Sequence, residues 1–140
     1  MIPASELFQD AMTTALAGDE ILVEVRLPVG AKGSACAIEE FARRRGDFAI
    51  AAVAVVLHKQ GQRCEKARIA TAGITSHSQR LRAAEKILEQ QGLGDTAIAA
   101  AAEAAAKGIE PLSDRNASAD YRRQLTQILT ERAVKRAAAE

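Results

Sequence analysis

FAIAAVAVVLHK, residues 48–59, is an almost unbroken apolar stretch. Its Val and Ile side chains favour extended backbone, and a run of this length is typical of a strand covered on both faces. A short polar segment with one glycine, residues 59–63, then leads into a second apolar run at 64–74. This spacing predicts two neighbouring antiparallel strands, which would form the centre of a sheet.

Two further strands are predicted upstream of this pair. Residues 21–28, ILVEVRLP, alternate apolar and charged side chains until Pro28 ends the run. Residues 35–44, ACAIEEFARR, alternate less cleanly, and glycine-containing turns on both sides keep the segment short. We therefore expect three or four antiparallel strands between about residues 20 and 75. A short amphipathic helix is predicted before them, at residues 5–12.

The composition changes near residue 78, after which strong helix formers such as Ala, Glu, Arg, Gln and Leu dominate. Helical spacing of the apolar residues predicts three helices, at 79–92, 95–108 and 118–140. Asp95 and Ser118 stand where N-caps are expected, and Gly92 where a helix ends. Strands followed by helices predict an α+β domain, in which a small antiparallel sheet of three to four strands packs with a three-helix bundle.

Length and charge exclude several classes of function. The chain has 140 residues, about one domain, and its nineteen basic and eighteen acidic residues leave a net charge of +1. No overall field would attract nucleic acid or an anionic membrane, and no apolar run reaches the roughly 20 residues that membrane insertion needs. The acidic first twenty residues do not match a targeting peptide. These features predict a cytoplasmic protein that binds no nucleic acid.

No catalytic or metal-binding constellation is visible in the sequence. The candidate soft ligands are Cys36, Cys64, His58 and His77. These four share no zinc-like spacing, so no metal site is predicted. Nucleophile-elbow, metalloprotease and phosphate-loop motifs are also absent. A small enzyme acting through Glu39, Glu40 or Asp47 would lack a paired base and nucleophile, so no catalytic residue is assigned.

Two polar stretches stand out from this background. The first, FARRRGDF at residues 41–48, is either a solvated turn or a cationic rim, because guanidinium groups bind phosphates and carboxylates in bidentate fashion. The second, PLSDRNASADYRR at residues 111–123, is rich in turn and cap formers that would join two helices. Residue types alone leave both readings of the first stretch open.

Five segments, in order along residues 2–137, resemble one known family. They are LFQDAMTTAL, DEILVEVRLP, FARRRGDFAIAAVAVVL, ARIATAGITSHSQRLRAAEKIL and SDRNASADYRRQL. The family is the C-terminal part of the FAD-binding subunit of molybdenum hydroxylases, of the carbon monoxide dehydrogenase medium-subunit and xanthine dehydrogenase type. The resemblance implies the same α+β fold and two preceding domains that hold most of the FAD.

The resemblance also implies a division of the chain and a supporting function. Residues 1–18 would be a linker and short helix leading out of a missing FAD domain, and residues 19–140 a single C-terminal domain. This domain would support the flavin domain and subunit assembly without being catalytic alone. The expected partners are the N-terminal FAD-binding domains, a molybdopterin large subunit and a [2Fe–2S] small subunit. FAD is expected in the intact subunit, and no cofactor in this chain alone.

The site residues implied by the resemblance fall in the two polar stretches. Those expected to face flavin in the intact subunit are Phe41, Arg43, Arg44 and Asp47. Those expected to pack the bundle and tie it to the sheet are Ser118, Tyr121 and Arg122. Glu39 and Glu40 depart from the family, which often has a lysine there. A stand-alone adaptor or oligomerisation module is the alternative, and exposed apolar residues near Phe8 would favour self-association.

Overall fold

The computed structural model describes residues 1–140, and its main sheet has four antiparallel strands in the order β3-β4-β5-β6. The strands are β1 (Phe8–Asp10), β2 (Thr13–Thr14), β3 (Ser34–Phe41), β4 (Ala51–Gln60), β5 (Arg63–Ala72) and β6 (Gln79–Arg80). The helices are α1 (Ala4–Leu7), α2 (Arg82–Gln91), α3 (Asp95–Lys107) and α4 (Ala119–Ala139). A separate two-stranded sheet joins β1 and β2. The predicted combination of a small antiparallel sheet and three substantial helices is confirmed.

One face of the main sheet packs against the helices and forms the core. The other face of β4 is partly open to solvent, so the prediction that this strand is covered on both faces is wrong. On the central strand β4, Val53, Val55 and Leu57 alternate inward and are at most 1% exposed, and Ile69 on β5 joins them. Each such side chain contributes about 1.5–3 kcal/mol by leaving water. The pairs Ala37–Val55 and Val55–Ile69 lie opposite each other, which aligns the buried rows across the three long strands.

Helices α3 and α4 meet through small side chains. Ala101 and Ala105 of α3, and Ala133 and Ala137 of α4, are all at most 1% exposed. Alanine adds little bulk, so the two helices fill the space between them at close range. The apolar stripe predicted for the third helix therefore packs against α3 as well as against the sheet.

Two predictions of secondary structure are wrong: the strand at 21–28 and the start of the first long helix at residue 79. Residues 21–28, predicted as a strand, lie in no strand or helix, and the fourth strand is instead β6. Its two residues pair with Ala70 and Thr71 on β5, so β6 occupies what was predicted as the first turn of a helix. The pairing ends where the Leu81 N–H donates to the Ile69 carbonyl at 2.8 Å, and α2 then begins at Arg82.

The remaining differences concern short elements and caps. The helix predicted at 5–12 is only the four residues of α1, because the chain turns into the β1–β2 hairpin at Phe8. Gly94, rather than Asp95, is the N-cap of α3. The cap at Ser118 is confirmed, since its hydroxyl accepts from the Tyr121 N–H at 3.2 Å. Gly92 likewise ends α2 with a φ of 81°.

Candidate functional site

The two polar stretches singled out in the sequence meet at one end of the sheet. One is the loop between β3 and β4, and the other connects α3 to α4. Between them lies a cavity of about 300 Å³. Its lining residues are Arg43, Asp47, Phe48, Ala49, Ile50, Gly73, Asp114, Asn116 and Arg122. The fold thus brings together residues that lie about seventy positions apart in the chain.

Arg122 holds the two loops together from inside. Its guanidinium is buried, with 6% of the side chain exposed, and it forms an ion pair with Asp114 at 2.9 Å. It also donates to the Leu112 carbonyl at 2.7 Å and to the Ile50 carbonyl at 3.4 Å. A buried cation needs partners for its donors, and this one finds them on both loops. One side chain therefore links the start of β4 to the first turn of α4.

Asp114 is held in its ionised form by the same arrangement. Arg122 is the main cause, and the N–H groups of Ala117 and Asn116 also donate to the carboxylate, at 3.0 and 2.8 Å. Together these donors lower the pKa of Asp114 from 3.8 to about 2. The Asp114 side chain therefore stays negative at neutral pH and neutralises the buried Arg122.

Arg43 lies at the cavity rim without a carboxylate partner. Its guanidinium reaches only the carbonyls of Arg115 and Asn116, at 3.4 and 3.5 Å. Arg44, by contrast, points away from the protein with 87% of its side chain exposed, and its nearest acid is Asp47 at 4.0 Å. The cavity therefore presents one cation whose charge is not neutralised inside the chain.

Phe41 and Tyr121 form an aromatic contact beside this cavity. Their ring centroids are 6.0 Å apart at an interplanar angle of 86°, an edge-to-face arrangement. Both side chains remain partly exposed. Among the residues that the sequence singled out, Phe41 is thereby joined to Tyr121, while Arg43 and Asp47 share the cavity with Arg122.

The two glutamates that depart from the family pattern have different surroundings. Glu39 points to the helix side of the sheet and forms an ion pair with Arg136 of α4 at 3.2 Å. Glu40 is exposed and forms no ion pair. The Glu39 carboxylate is therefore engaged in joining β3 to α4, away from the cavity lining.

Sequence reasoning missed three features of the cavity. The apolar run at 48–59 predicts a buried Phe48, yet this residue is 95% exposed at the cavity mouth. The prediction of Asp114 as a turn residue is confirmed, but its ion pair with the buried Arg122 has no signal in the sequence. Gly73 lies against the β3–β4 loop with a φ of 75°, and a Cβ there would stand 2.6 Å from the Ala49 carbonyl oxygen. Only the position of Phe48 directly after a polar turn gave a signal for its exposure.

The capacity of the chain for metal binding and thiol chemistry is described by its acidic and His side chains and its two cysteines. No group of three or more His, Cys, Asp or Glu side chains is placed to hold a metal ion. Burial raises the pKa of the Cys64 thiol, and the neighbouring Glu89 adds to the effect. A buried thiol with a raised pKa is a poor nucleophile.

The chain also contains no helix with the length and apolar character to cross a bilayer.

Comparison with known proteins gives one family. Residues 36–137 match the model of the CO dehydrogenase flavoprotein C-terminal domain. The chain is 40% identical over 138 residues to the nicotine 6-hydroxylase medium subunit of Paenarthrobacter nicotinovorans, covering 99% of this chain and 48% of that subunit. It is also 40% identical to the 6-hydroxypseudooxynicotine dehydrogenase complex subunit alpha of the same organism, over 97% of this chain and 46% of that subunit.

A solved structure agrees with these matches. Carbon monoxide dehydrogenase from Hydrogenophaga pseudoflava superposes with a TM-score of 0.93 at 35% sequence identity, over 99% of this chain and 48% of the matched chain. The chain therefore spans about half the length of the relatives it matches. We use the term uncovered half for the half of these relatives that this chain does not match.

Proposed function

Because the chain belongs to the CO dehydrogenase flavoprotein C-terminal domain family, we propose that it serves as the C-terminal domain of the FAD subunit of a molybdenum hydroxylase. Its task is to cover the flavin side of that subunit and to contribute surface to subunit assembly. The single observation that carries the proposal is the cavity between the β3–β4 loop and the α3–α4 connection, with Arg43 unneutralised at its rim.

The residues at this cavity fit one edge of a flavin, but they do not fit the whole dinucleotide. About 300 Å³ lies at the small end of ligand-site volumes, and no glycine-rich loop here offers backbone N–H groups to a pyrophosphate. The Arg43 guanidinium suits the electron-rich edge of the ring system, and the exposed Phe48 offers an apolar surface. The uncovered half would hold the rest of the cofactor.

The four predicted flavin-facing residues contribute in different ways under this proposal. Arg43 and Asp47 line the cavity directly. Phe41 acts through Tyr121, which fixes its ring beside the cavity. Arg44 faces solvent in this chain, so its guanidinium is free to meet a neighbouring domain. The buried Arg122 also lines the cavity, and its ion pair with Asp114 positions both loops.

The partners follow from the architecture of the enzyme class. The uncovered half supplies the FAD-binding domains, and separate molybdopterin and [2Fe–2S] subunits complete the complex. FAD held there would supply the redox chemistry between the iron–sulfur clusters and an acceptor, and protein groups would orient it. The proposal places the complex in the cytoplasm, where the two unpaired cysteines stay reduced.

The proposal is tested with a chimera, in which the uncovered half of the nicotine 6-hydroxylase medium subunit is joined ahead of residue 1 of this chain. FAD affinity is measured by equilibrium dialysis for three samples: this chain alone, the uncovered half alone and the chimera. We expect this chain to be colourless, and the chimera to retain FAD at least about tenfold more tightly than the uncovered half, as added ring contacts require.

Two results would contradict the proposal. Stoichiometric, tight FAD binding by the isolated 140 residues would place the cofactor site within this chain. Equal FAD affinity of the chimera and the uncovered half would show that this domain plays no part at the flavin, which would favour the alternative of an adaptor or oligomerisation module.

A further inference from the structure

One edge of the main sheet is covered by a helix instead of a full strand. Strand β6 pairs only with Ala70 and Thr71, so the stretch of β5 at residues 63–69 has no strand beside it. Outward-facing backbone groups at a sheet edge need other partners, because an open edge is a template for pairing with another chain. Helix α2 packs along this stretch of β5, so its side chains are candidates for closing the edge.

Two glutamates of α2, which we call the capping pair, accept hydrogen bonds from this edge. The N–H of Ile69 donates to Glu85 at 2.8 Å, and the N–H of Ala67 donates to Glu89 at 3.0 Å. The spacing matches, because four residues of helix rise about 6 Å and two residues of strand about 6.7 Å. The capping pair therefore takes the place of the carbonyl groups that a neighbouring strand would offer.

The two members of the capping pair are held differently. Glu85 is 5% exposed, and the Arg80 guanidinium also donates to its carboxylate, at 2.6 Å. Glu89 is exposed, and the hydrogen bond from Ala67 holds its carboxylate at the edge. Contacts at the surface open more often than buried ones. Release of Glu89 would therefore uncover the edge at Ala67 first.

The opposite edge of the sheet is closed in a similar way. Strand β3 has a neighbouring strand only on the β4 side. On its other side, the N–H of Cys36 donates to the Glu140 carboxylate at 3.3 Å, just after the end of α4. At both edges, glutamate side chains thus occupy backbone donors that a further strand would use. Charged side chains at an edge oppose strand addition, so this arrangement acts against self-association.

We propose that the capping pair is an autoinhibitory contact, which keeps β5 from pairing with β5 of a second copy of this chain. Once α2 is released, β5 can pair with itself in antiparallel fashion about Ala67, whose small side chain would lie opposite its counterpart. Such a pair joins two sheets into one and keeps the buried row that contains Ile69 on the helix side. The inference concerns this chain alone and makes no use of a flavin, so it goes beyond the proposed function.

Like charges on the outer face of β5 add a second obstacle to this pairing. Lys66 and Arg68 are exposed, and in a pair centred on Ala67 each would lie opposite the other of the second copy. Salt screens the repulsion between such exposed charges. Association after loss of the capping pair should therefore be faster at high ionic strength.

The test compares three variants of this chain with wild type at about 0.5 M sodium chloride, which screens this repulsion. In E89A, we expect both amide exchange at Ala67 and oligomer formation to be at least about tenfold faster, because both follow the fraction of open edges. E89Q keeps a carbonyl oxygen as acceptor, so both rates should stay within about twofold of wild type. E103A, at an exposed glutamate of α3, removes the same charge elsewhere and should change neither rate.

The two rates are measured independently of each other. Nuclear magnetic resonance follows amide exchange, and size-exclusion chromatography with light scattering follows oligomer formation. If E89A does not fold, E89D provides the same comparison, because its carboxylate is one methylene shorter and falls short of the edge.

Three results would overturn the inference. If the Ala67 amide exchanges equally fast in wild type and E89A, Glu89 does not close the edge. If exchange is faster but the variant stays monomeric, the open edge accepts no second copy. If E89Q or E103A forms oligomers as fast as E89A, the loss of charge causes association and the loss of the acceptor does not.

Discussion

At the residue scale, Arg122 decides whether the cavity keeps its shape. It is 5% exposed and joins the carbonyls of Ile50 and Leu112 to the carboxylate of Asp114. Such a side chain acts through packing and hydrogen bonds together, and neither lysine nor alanine reproduces its fork of donors. The neighbouring Arg123 forms only a surface pair with Asp120.

Replacing Arg122 should therefore be costly. We expect R122A to lower the free energy of unfolding by about 2–4 kcal/mol, because the carbonyls of both loops lose their buried donor. R122K should recover part of this loss through a single contact. The matched variant R123A should change stability by less than about 0.5 kcal/mol. Urea unfolding followed by circular dichroism measures all three, and equal losses for R122A and R123A would show that Arg122 has no special role.

Asp114 predicts a pH dependence with a definite sign. Its pKa is lowered to about 2 in the folded protein, against 3.8 without its partners. A carboxylate with a lowered pKa stabilises the fold above its unfolded pKa, and this contribution disappears as pH falls through the folded value. Wild type should therefore unfold at a higher temperature than D114N at neutral pH, and the difference should shrink between about pH 4 and pH 2.

The matched variant for this titration is D120N, at an exposed aspartate that also pairs with an arginine. Its difference from wild type should stay small over the whole pH range, as is usual for surface pairs. A difference between wild type and D114N that is constant from pH 7 to pH 2 would contradict the predicted coupling of Asp114 to Arg122.

Among the helices and strands, the sequence predicts those whose formation depends on their own residues. It does not predict those that depend on pairing with a distant segment. Strand β4, strand β5 and helix α4 follow from apolar runs and spacing, and the structure confirms them. Strand β6 could not be predicted, because its two residues are extended only through pairing with β5. The pattern at 21–28 is that of a strand, but strand formation needs a neighbour that this chain does not provide.

The candidate site likewise has features that the sequence predicts and features that depend on long-range contacts. The two polar stretches are visible in the sequence, whereas their meeting is a long-range event: the Arg43 guanidinium reaches the carbonyl of residue 115, 72 positions away. The exposure of Phe48 has only one signal in the sequence, its position directly after a polar turn, because the exposure depends on how the loop leaves the sheet before β4 begins at Ala51. The residue types indicate which polar and charged groups are available, and the tertiary contacts determine which of them share the cavity.

The end of β5 depends on a glycine that touches the loop before β4. At Gly73, both the φ of 75° and the 2.6 Å approach to the Ala49 carbonyl oppose a side chain. We expect G73A to lower the free energy of unfolding by about 2–3 kcal/mol. Gly61 is the matched control, since its φ of 57° is also left-handed but nothing lies within 4 Å. G61A should cost only about 1 kcal/mol, and equal costs would rule out the contact with Ala49.

At the scale of the whole molecule, the chain consists of one folded domain with an unpartnered N-terminal part. Every buried residue lies between Ala35 and Ala137, and the cavity with Arg43 lies at one end of the sheet. The apolar side chains of residues 21–29 and the lining of the cavity are both open to solvent in this chain. Under the proposed function, this domain covers the flavin.

Coverage of the flavin is measured by iodide quenching of flavin fluorescence, in which the chimera is compared with the uncovered half alone, each saturated with FAD. Iodide reaches only a ring that is open to solvent, so a covering domain lowers the quenching constant. We predict a constant at least about twofold lower in the chimera, in keeping with the largely buried ligands of protein sites. Equal quenching constants in the two proteins would contradict the account.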